Sequence, residues 1–226
     1  MKILAFDTSG DILSVGLYEG RKVLAEAESS GFSRHSAVLL PSIERMARSA
    51  GLKLKDLDVI AVGLGPGSFT GLRAGVTTAK ILSFALNKKI VGVSSLEILA
   101  AAQSGQGPIA VLLDAKKNKT YTAAYDLKKD GSIVVLKKPA LEKLDVFLKK
   151  IPRNTRVLAL LPIAEASGRL LEARGCRQIL DPQRLQARDL ARLGLILADK
   201  KKFTKAEDLK PLYLHPRDCN AAPPPI

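Results

Sequence analysis

The sequence predicts an α/β protein of two related lobes with a cleft between them, and three observations carry that prediction. The chain opens as a strand meander and then alternates helix and strand, the pattern of a layered α/β architecture. An apolar strand ending in aspartate, Ile3–Asp7, recurs as Ile109–Asp114 with two further strands behind it each time. The length, 226 residues, suits one large domain or two small ones at ~100–200 residues per domain. Composition agrees: 46% apolar and 26% charged residues exclude disordered, collagen-like and coiled-coil chains.

The elements follow in order. Lys2–Phe6, Ile12–Tyr18 and Val23–Ala27 are apolar or alternating runs separated by Thr8–Asp11 and Glu19–Arg21, whose turn residues predict a three-stranded antiparallel meander. A helix follows with Leu39, Ile43, Met46 and Ala50 on one stripe and Gly51 as its stop, Pro41 disturbing its first turns. Val59–Leu64 is a short buried strand. Beyond it the glycine-rich Gly63–Gly71 leads into a helical pattern of Leu72, Val76, Ala79 and Leu82–Phe84. A strand at Lys89–Val93 and a helix from Ser94 to about Gln103 complete the first half. After Ser104–Pro108 the second half repeats the scheme: strands Ile109–Asp114, Lys119–Asp126 and Ser132–Leu136, helix Leu141–Lys149, strand Thr155–Leu161, and helices Ala164–Arg174 and Ala187–Lys201. The expected division is a lobe over 1–104, a basic lobe over 105–220, and a disordered tail over 221–226 containing Pro223–Pro225.

No apolar stretch reaches the ~18–20 residues of a bilayer span, and the five-residue apolar run before Asp7 is too short for a signal-peptide core. A cytoplasmic protein with no membrane association is expected. Cys176 and Cys219 show neither CxxC spacing nor a neighbouring histidine, so neither a disulfide framework nor a zinc site is indicated. The net charge is +14, and residues 101–226 carry 24 basic against 13 acidic residues. Such a face suits a polyanion through counterion release, although a solvated lysine-rich surface has the same composition. The lysine runs, such as Lys116-Lys117 and Lys200–Lys202, lack interleaved aromatics, which weakens a stacking groove for single strands.

Two stretches could carry chemistry. Asp7-Thr8-Ser9 ends the first strand, where a carboxylate and two hydroxyls could meet a phosphate or a metal-bound water; equally, Asp7 could start a turn on its own backbone. In Gly65–Arg73, glycines permit close backbone approach, Ser68 and Thr70 can cap a helix, and a helix N-terminus favours an anion. The candidate phosphate-binding set is therefore Asp7, Thr8, Ser9, Gly65, Gly67, Ser68 and Thr70. The loop is neither a Walker A motif nor GxGxxG, and a tight turn packing two backbones together explains it as well. His35 and His215 have no ligand or nucleophile spaced to join them, and no carboxylate pair stands out for acid–base work.

The run Gly65-Pro66-Gly67-Ser68-Phe69-Thr70-Gly71-Leu72-Arg73-Ala74-Gly75 resembles the TsaB (YeaZ) family, whose partner is the threonylcarbamoyl transferase subunit TsaD. The resemblance extends through Ile3–Ser9, Ser33–Ser36 with Leu39-Leu40-Pro41, Val93–Glu97 and Asp114–Tyr121. It covers residues 1 to about 126 well and the remainder weakly, apart from Lys210–Leu214, similar to the family's closing Pro-x-Tyr-Leu. It implies an actin/Hsp70/sugar-kinase-like (ASKHA) fold of two ribonuclease-H-like lobes. The implied function is a non-catalytic scaffold subunit that binds and activates a TsaD-type subunit in the biosynthesis of N6-threonylcarbamoyladenosine in tRNA. A TsaE-type ATPase, tRNA held through the complex, and a homodimer when alone are the further partners the resemblance implies. No cofactor is implied on this subunit, with ATP or ADP within the complex.

Matching the TsaD His-x-x-x-His metal motif onto this chain puts Ser95 and Leu99 at the histidine positions, a substitution that removes both imidazoles. The implied partner interface lies on the helices around Ser36–Ala50 and Thr70–Leu86, with Leu39, Ile43, Met46, Arg73, Val76 and Lys80 as its candidates. Leu39, Ile43, Ala79 and Phe84 are expected to be core or interface. The chain departs from the family pattern at Lys116–Thr120 and lacks a glycine pair in Leu158–Ile163. A nucleotide-dependent enzyme of the sugar-kinase type, a peptidase as in the family's old label, and an independent RNA-binding module are the competing readings.

Overall fold

The computed structural model describes residues 1–31, 35–115, 119–159, 163–179 and 185–215. The expected tail over 221–226, Ser33 and Arg34 at the first helix entrance, the departure at Lys116–Asn118, the end of the strand expected to reach Leu161, and Cys219 lie outside the described residues.

Two five-stranded sheets form the frame. In the first, β1 (Lys2–Asp7), β2 (Ile12–Glu19), β3 (Lys22–Ser30), β4 (Val59–Gly63) and β5 (Lys89–Val93) take the order β3-β2-β1-β4-β5. In the second, β6 (Gly107–Asp114), β7 (Thr120–Leu127), β8 (Ile133–Glu142), β9 (Arg156–Ala159) and β10 (Arg177–Ile179) take the order β10-β9-β6-β7-β8. These are the same order read from opposite edges: an antiparallel meander whose first strand also pairs in parallel with the fourth. The duplication suspected from the two Asp-ended strands is thus repeated in the hydrogen bonding.

Alternation along the strands sorts the core into layers. On β1, Leu4 and Phe6 face a cluster with Leu39, Ile43 and Met46 of α1 (His35–Ser49) and Val76, Ala79 and Leu82 of α2 (Phe69–Leu86). Their neighbours Ile3 and Ala5 face the opposite side, where Leu190, Ala191 and Leu193 of α6 (Ala187–Asp199) cover them. A strand covered on both faces must be apolar throughout, which is why β1 and β4 read as continuous apolar runs. The second sheet is layered likewise. Ala110, Leu112 and Val157 meet Phe147 and Leu148 of α4 (Leu144–Leu148) and Leu171 of α5 (Ile163–Glu172), while Ile109, Val111 and Tyr125 meet Leu96, Leu99 and Ala100 of α3 (Ser95–Ala101).

The helices do not respect the expected lobe boundary. α3 precedes residue 104 yet packs on the second sheet, whereas α6 lies far beyond it and packs on the first, and the two helices touch. The segment after α6 also stays with the first lobe: Thr204 N–H bonds to the Ile90 carbonyl at 2.8 Å, Leu212 N–H bonds to the Leu64 carbonyl at 2.7 Å, and Leu209 joins the α1–α2 core. α6 and the Thr204–Leu212 segment, expected in the second lobe, are therefore built onto the first, where α6 covers most of the Ile3–Ala5 face, and Leu214 packs against the second-sheet cluster. Two local expectations change as well. β8 runs to Glu142 instead of yielding to a helix at Leu141, so α4 begins at Leu144; Pro139 is tolerated because β8 is an edge strand. The three-residue β10 gave too short a pattern to be expected.

Candidate functional site

The C-terminal ends of β1, β4 and β5 meet at one end of the first sheet, and three segments converge there: the Asp7–Ser9 turn, the Gly65–Thr70 loop and the entrance of α3. Asp7 Oδ1 accepts from Ser9 N–H and from Ser9 Oγ, each at 2.6 Å. Asp7 Oδ2 accepts from Ser95 Oγ at 2.8 Å. The two hydroxyls lie 2.9 Å apart, and Gly65 N–H donates to Ser95 Oγ at 3.1 Å. Ser95 N–H returns a bond to the Gly65 carbonyl at 2.7 Å. Ser95 thus ties all three segments together at one buried carboxylate. Burial pushes the Asp7 carboxyl above its ordinary value, and the bonds from Ser9 and Ser95 oppose that rise.

The glycine-rich loop is shaped by close contact with this turn. Ser68 N–H donates to the Ser9 carbonyl at 2.8 Å, and Thr8 Oγ1 donates to the Gly71 carbonyl at 2.7 Å. A Cβ on Gly67 would stand 2.3 Å from the Ser9 carbonyl oxygen, and one on Gly71 only 2.1 Å from that of Thr8. Glycine is required at both because backbone occupies the space of a side chain. Ser68 caps α2 by accepting from Gly71 N–H at 3.2 Å.

All seven candidate phosphate ligands come together here, but they divide by access. Asp7, Thr8 and Ser9 are 1%, 0% and 3% exposed, bonded to one another's surroundings and covered by the loop. In this structure they act as packing groups: the space beneath the glycines holds the chain's own Thr8 and Ser9. Gly65 is buried as well, leaving exposed Gly67, half-buried Ser68 and exposed Thr70 at the helix entrance. At the histidine positions of the transferase motif, Ser95 bonds to Asp7 and Leu99 is 1% exposed in the core. Among the described residues no three His, Cys, Asp or Glu side chains gather as a metal site.

Comparison with known proteins places this arrangement. The family model of the tRNA N6-adenosine threonylcarbamoyltransferase TsaD matches residues 22–155. The chain belongs to the TsaD/TsaB (YeaZ) family. The tRNA threonylcarbamoyladenosine biosynthesis protein TsaB of Bacillus subtilis is 39% identical over 129 residues, which are 57% of this chain and 56% of that protein. The chain spans little more than half the length of the curated TsaB relatives that it matches. An uncharacterized Pseudomonas aeruginosa protein with similarity to the peptidase YeaZ superposes with a TM-score of 0.78 at 27% identity, covering 95% of this chain and 99% of that one. A putative N-acetylmannosamine kinase of Listeria monocytogenes, Lmo2764, is 11% identical with a TM-score of 0.51 over 88% of this chain and 100% of its own, and shares the fold alone. The architecture is the ASKHA one.

The structure also separates core from surface on the family's helices. Leu39, Ile43, Met46 and Val76, expected as interface, are all under 5% exposed and belong to the core between α1, α2 and the first sheet. The helical stripe that marked them is the inward face. Of the interface candidates only Arg73 is exposed, with Lys80 half-buried. The outward residues are others: Leu40 on α1, and Ile81 and Phe84 on α2, at 43%, 60% and 91% exposure. Phe84 is thus surface, not core. A second outward feature was missed in the sequence. The Arg73 guanidinium lies 3.9 Å from the centroid of the Phe69 ring, donates to Tyr213 Oη at 3.3 Å, and Phe69 and Tyr213 rings stand 5.0 Å apart. The closing Pro-x-Tyr-Leu thereby lies against the start of α2, a contact between residues 140 apart that no local pattern announces. His35 is 1% exposed, with Nε2 3.1 Å from the Asp11 carbonyl, a structural placement. No helix of the described residues is long and apolar enough to cross a membrane.

Proposed function

We propose that this chain is a non-catalytic subunit in the biosynthesis of N6-threonylcarbamoyladenosine in tRNA, binding and activating a TsaD-type subunit that performs the transfer. The observation that carries the reading is Ser95: where the transferase motif has its first histidine, this chain has a hydroxyl bonded at 2.8 Å to a buried carboxylate. A buried, self-satisfied hydroxyl–carboxylate network holds segments together and offers no open position to a metal or substrate. Function then rests on surfaces. The outward face of α1 and α2, with Leu40, Ile81 and Phe84, supplies apolar area for the TsaD-type subunit, or for a second copy when the chain is alone. A TsaE-type ATPase and tRNA join through the assembled complex, in the cytoplasm, and ATP or ADP is used at the partner.

Mixing the chain with the TsaD-type subunit of the same genome and measuring mass by light scattering tests the reading. A heteromeric species is expected, and the mixture, supplied with a threonylcarbamoyl adenylate donor and the TsaE-type ATPase, should transfer threonylcarbamoyl to tRNA when neither subunit alone does under the same conditions. Two unmixed peaks, or nucleotide turnover by this chain alone, would overturn it in favour of a sugar-kinase-type enzyme.

A further inference from the structure

A cavity of about 280 Å³ lies at the other end of the second sheet, away from the Asp7 junction, lined by Gln103, Ser104, Arg156, Arg177, Gln178 and Ile179. Arg156 on β9 and Arg177 on β10 are register partners on adjacent parallel strands. Like charges opposite one another on neighbouring strands repel, and no carboxylate lines the cavity among the described residues. Arg156 is anchored: Nη1 donates to the Ser104 carbonyl and Nη2 to the Gln106 carbonyl at 3.3 Å. Those two bonds leave further guanidinium N–H groups, for arginine carries five. Arg177 is exposed, and its guanidinium makes no hydrogen bond or ion pair with a described residue. An anchored and an uncommitted guanidinium side by side, with amide side chains around them, form a fork suited to a tetrahedral oxyanion.

We infer that this two-arginine pocket binds a phosphate group, supplied either as free phosphate or by the backbone of an RNA. A bridging dianion removes the repulsion between the two strands and uses the bidentate geometry that lysine lacks. The stretch that carries the second sheet, with 15 basic against 7 acidic residues over 105–179, favours the approach of such an anion. The inference is independent of the docking face, which lies on α1 and α2, so either can fail without the other.

The test is a titration of the isotope-labelled full chain with inorganic phosphate at constant ionic strength, followed by backbone amide NMR. Saturable shifts are expected at Gly105, Gln106, Arg156, Arg177 and Gln178, weakened about tenfold in Arg177→Gln. Thermal melts keep the result independent of folding defects. Without phosphate, Arg177→Gln should melt no lower than the parent, since it removes one of two repelling charges, and phosphate should raise the parent's midpoint more than the variant's. A hairpin RNA forms the second arm. Shifts at the same amides that phosphate competes away assign the site to a backbone phosphate, and shifts with phosphate alone assign it to a free one. Equal phosphate binding by parent and Arg177→Gln, or no saturable shift at these amides with either probe, would overturn the inference.

Discussion

Asp7 shows how one side chain can look catalytic in a sequence and be structural in the fold. Its position at a strand end beside two hydroxyls suits phosphate chemistry, but both carboxylate oxygens are consumed by Ser9 and Ser95. Burial raises its folded pKa above the ordinary 3.8, against the hydrogen bonds from Ser9 and Ser95 and the pull of His35. The folded state therefore holds the proton more tightly than the unfolded chain, so stability falls as pH rises from 3.8 to the raised value and is level above it. Asp7→Asn keeps the shape, removes the charge and puts an amide N–H donor in place of one acceptor oxygen, which Ser95 Oγ can meet as an acceptor. Relative to the parent, it should gain stability across that window and hold the gain at neutral pH, as read from denaturation midpoints along a pH series. Asp7→Ala should instead cost about 1–3 kcal/mol, because it leaves the hydroxyls of Ser9 and Ser95 buried without their acceptor. An Asp7→Asn variant losing as much as Asp7→Ala would mean that the junction needs the carboxylate's two acceptor oxygens or its charge, and that its shape alone does not suffice.

At the scale of elements, α2 has two sides with opposite sensitivities. Its entrance touches the β1–β2 turn so closely that Gly71→Ala would push a methyl to 2.1 Å from the Thr8 carbonyl oxygen. Backbone rather than a flexible side chain must yield, so a loss near the upper end of overpacking costs, about 3 kcal/mol, is expected in a denaturant titration. Its outward face should behave the other way. Phe84→Asp should change stability by only about 0.5 kcal/mol, as suits a residue 91% exposed, yet abolish association with the TsaD-type subunit in light scattering; an unimpaired complex would move the docking surface elsewhere. The sequence made the helices legible through their inward stripes, and for that reason it pointed at Leu39, Ile43, Met46 and Val76, which are core. Outward residues carry no periodic signal, so Ile81 and Phe84 stood out only once the packing was known. The strands and the glycine-rich loop were legible because turn residues and apolar runs are local. Ser95 was not legible as a partner of Asp7, since that bond joins residues 88 apart through the pairing β1-β4-β5.

For the whole molecule, the duplicated sheets were visible in the repeated Asp-ended strand, but the exchange of helices between them was not. A helix reveals its apolar face in sequence and not the sheet that it covers. Because α3 crosses to the second sheet and α6 returns to the first, each sheet depends on a helix from the other half of the chain. Neither half then holds a complete core, and unfolding should be a single transition despite the two-lobed shape. Leu190 tests this, being fully buried on α6 against Ile3, Ala5 and Ala61. Leu190→Ala should cost about 2–5 kcal/mol and lower the midpoint of both lobes together. The chain has no tryptophan and four tyrosines, with Tyr18 in the first lobe's core and Tyr121 and Tyr125 in the second's. Replacing Tyr18 by Phe in one background, and Tyr121 with Tyr125 in another, lets tyrosine fluorescence report mainly on one lobe at a time. Coincident transitions in both backgrounds, shifted equally by Leu190→Ala, are the expected result; a second lobe that keeps its midpoint while the first lobe's falls would show that the two fold independently and that the helix exchange is not a cooperative link.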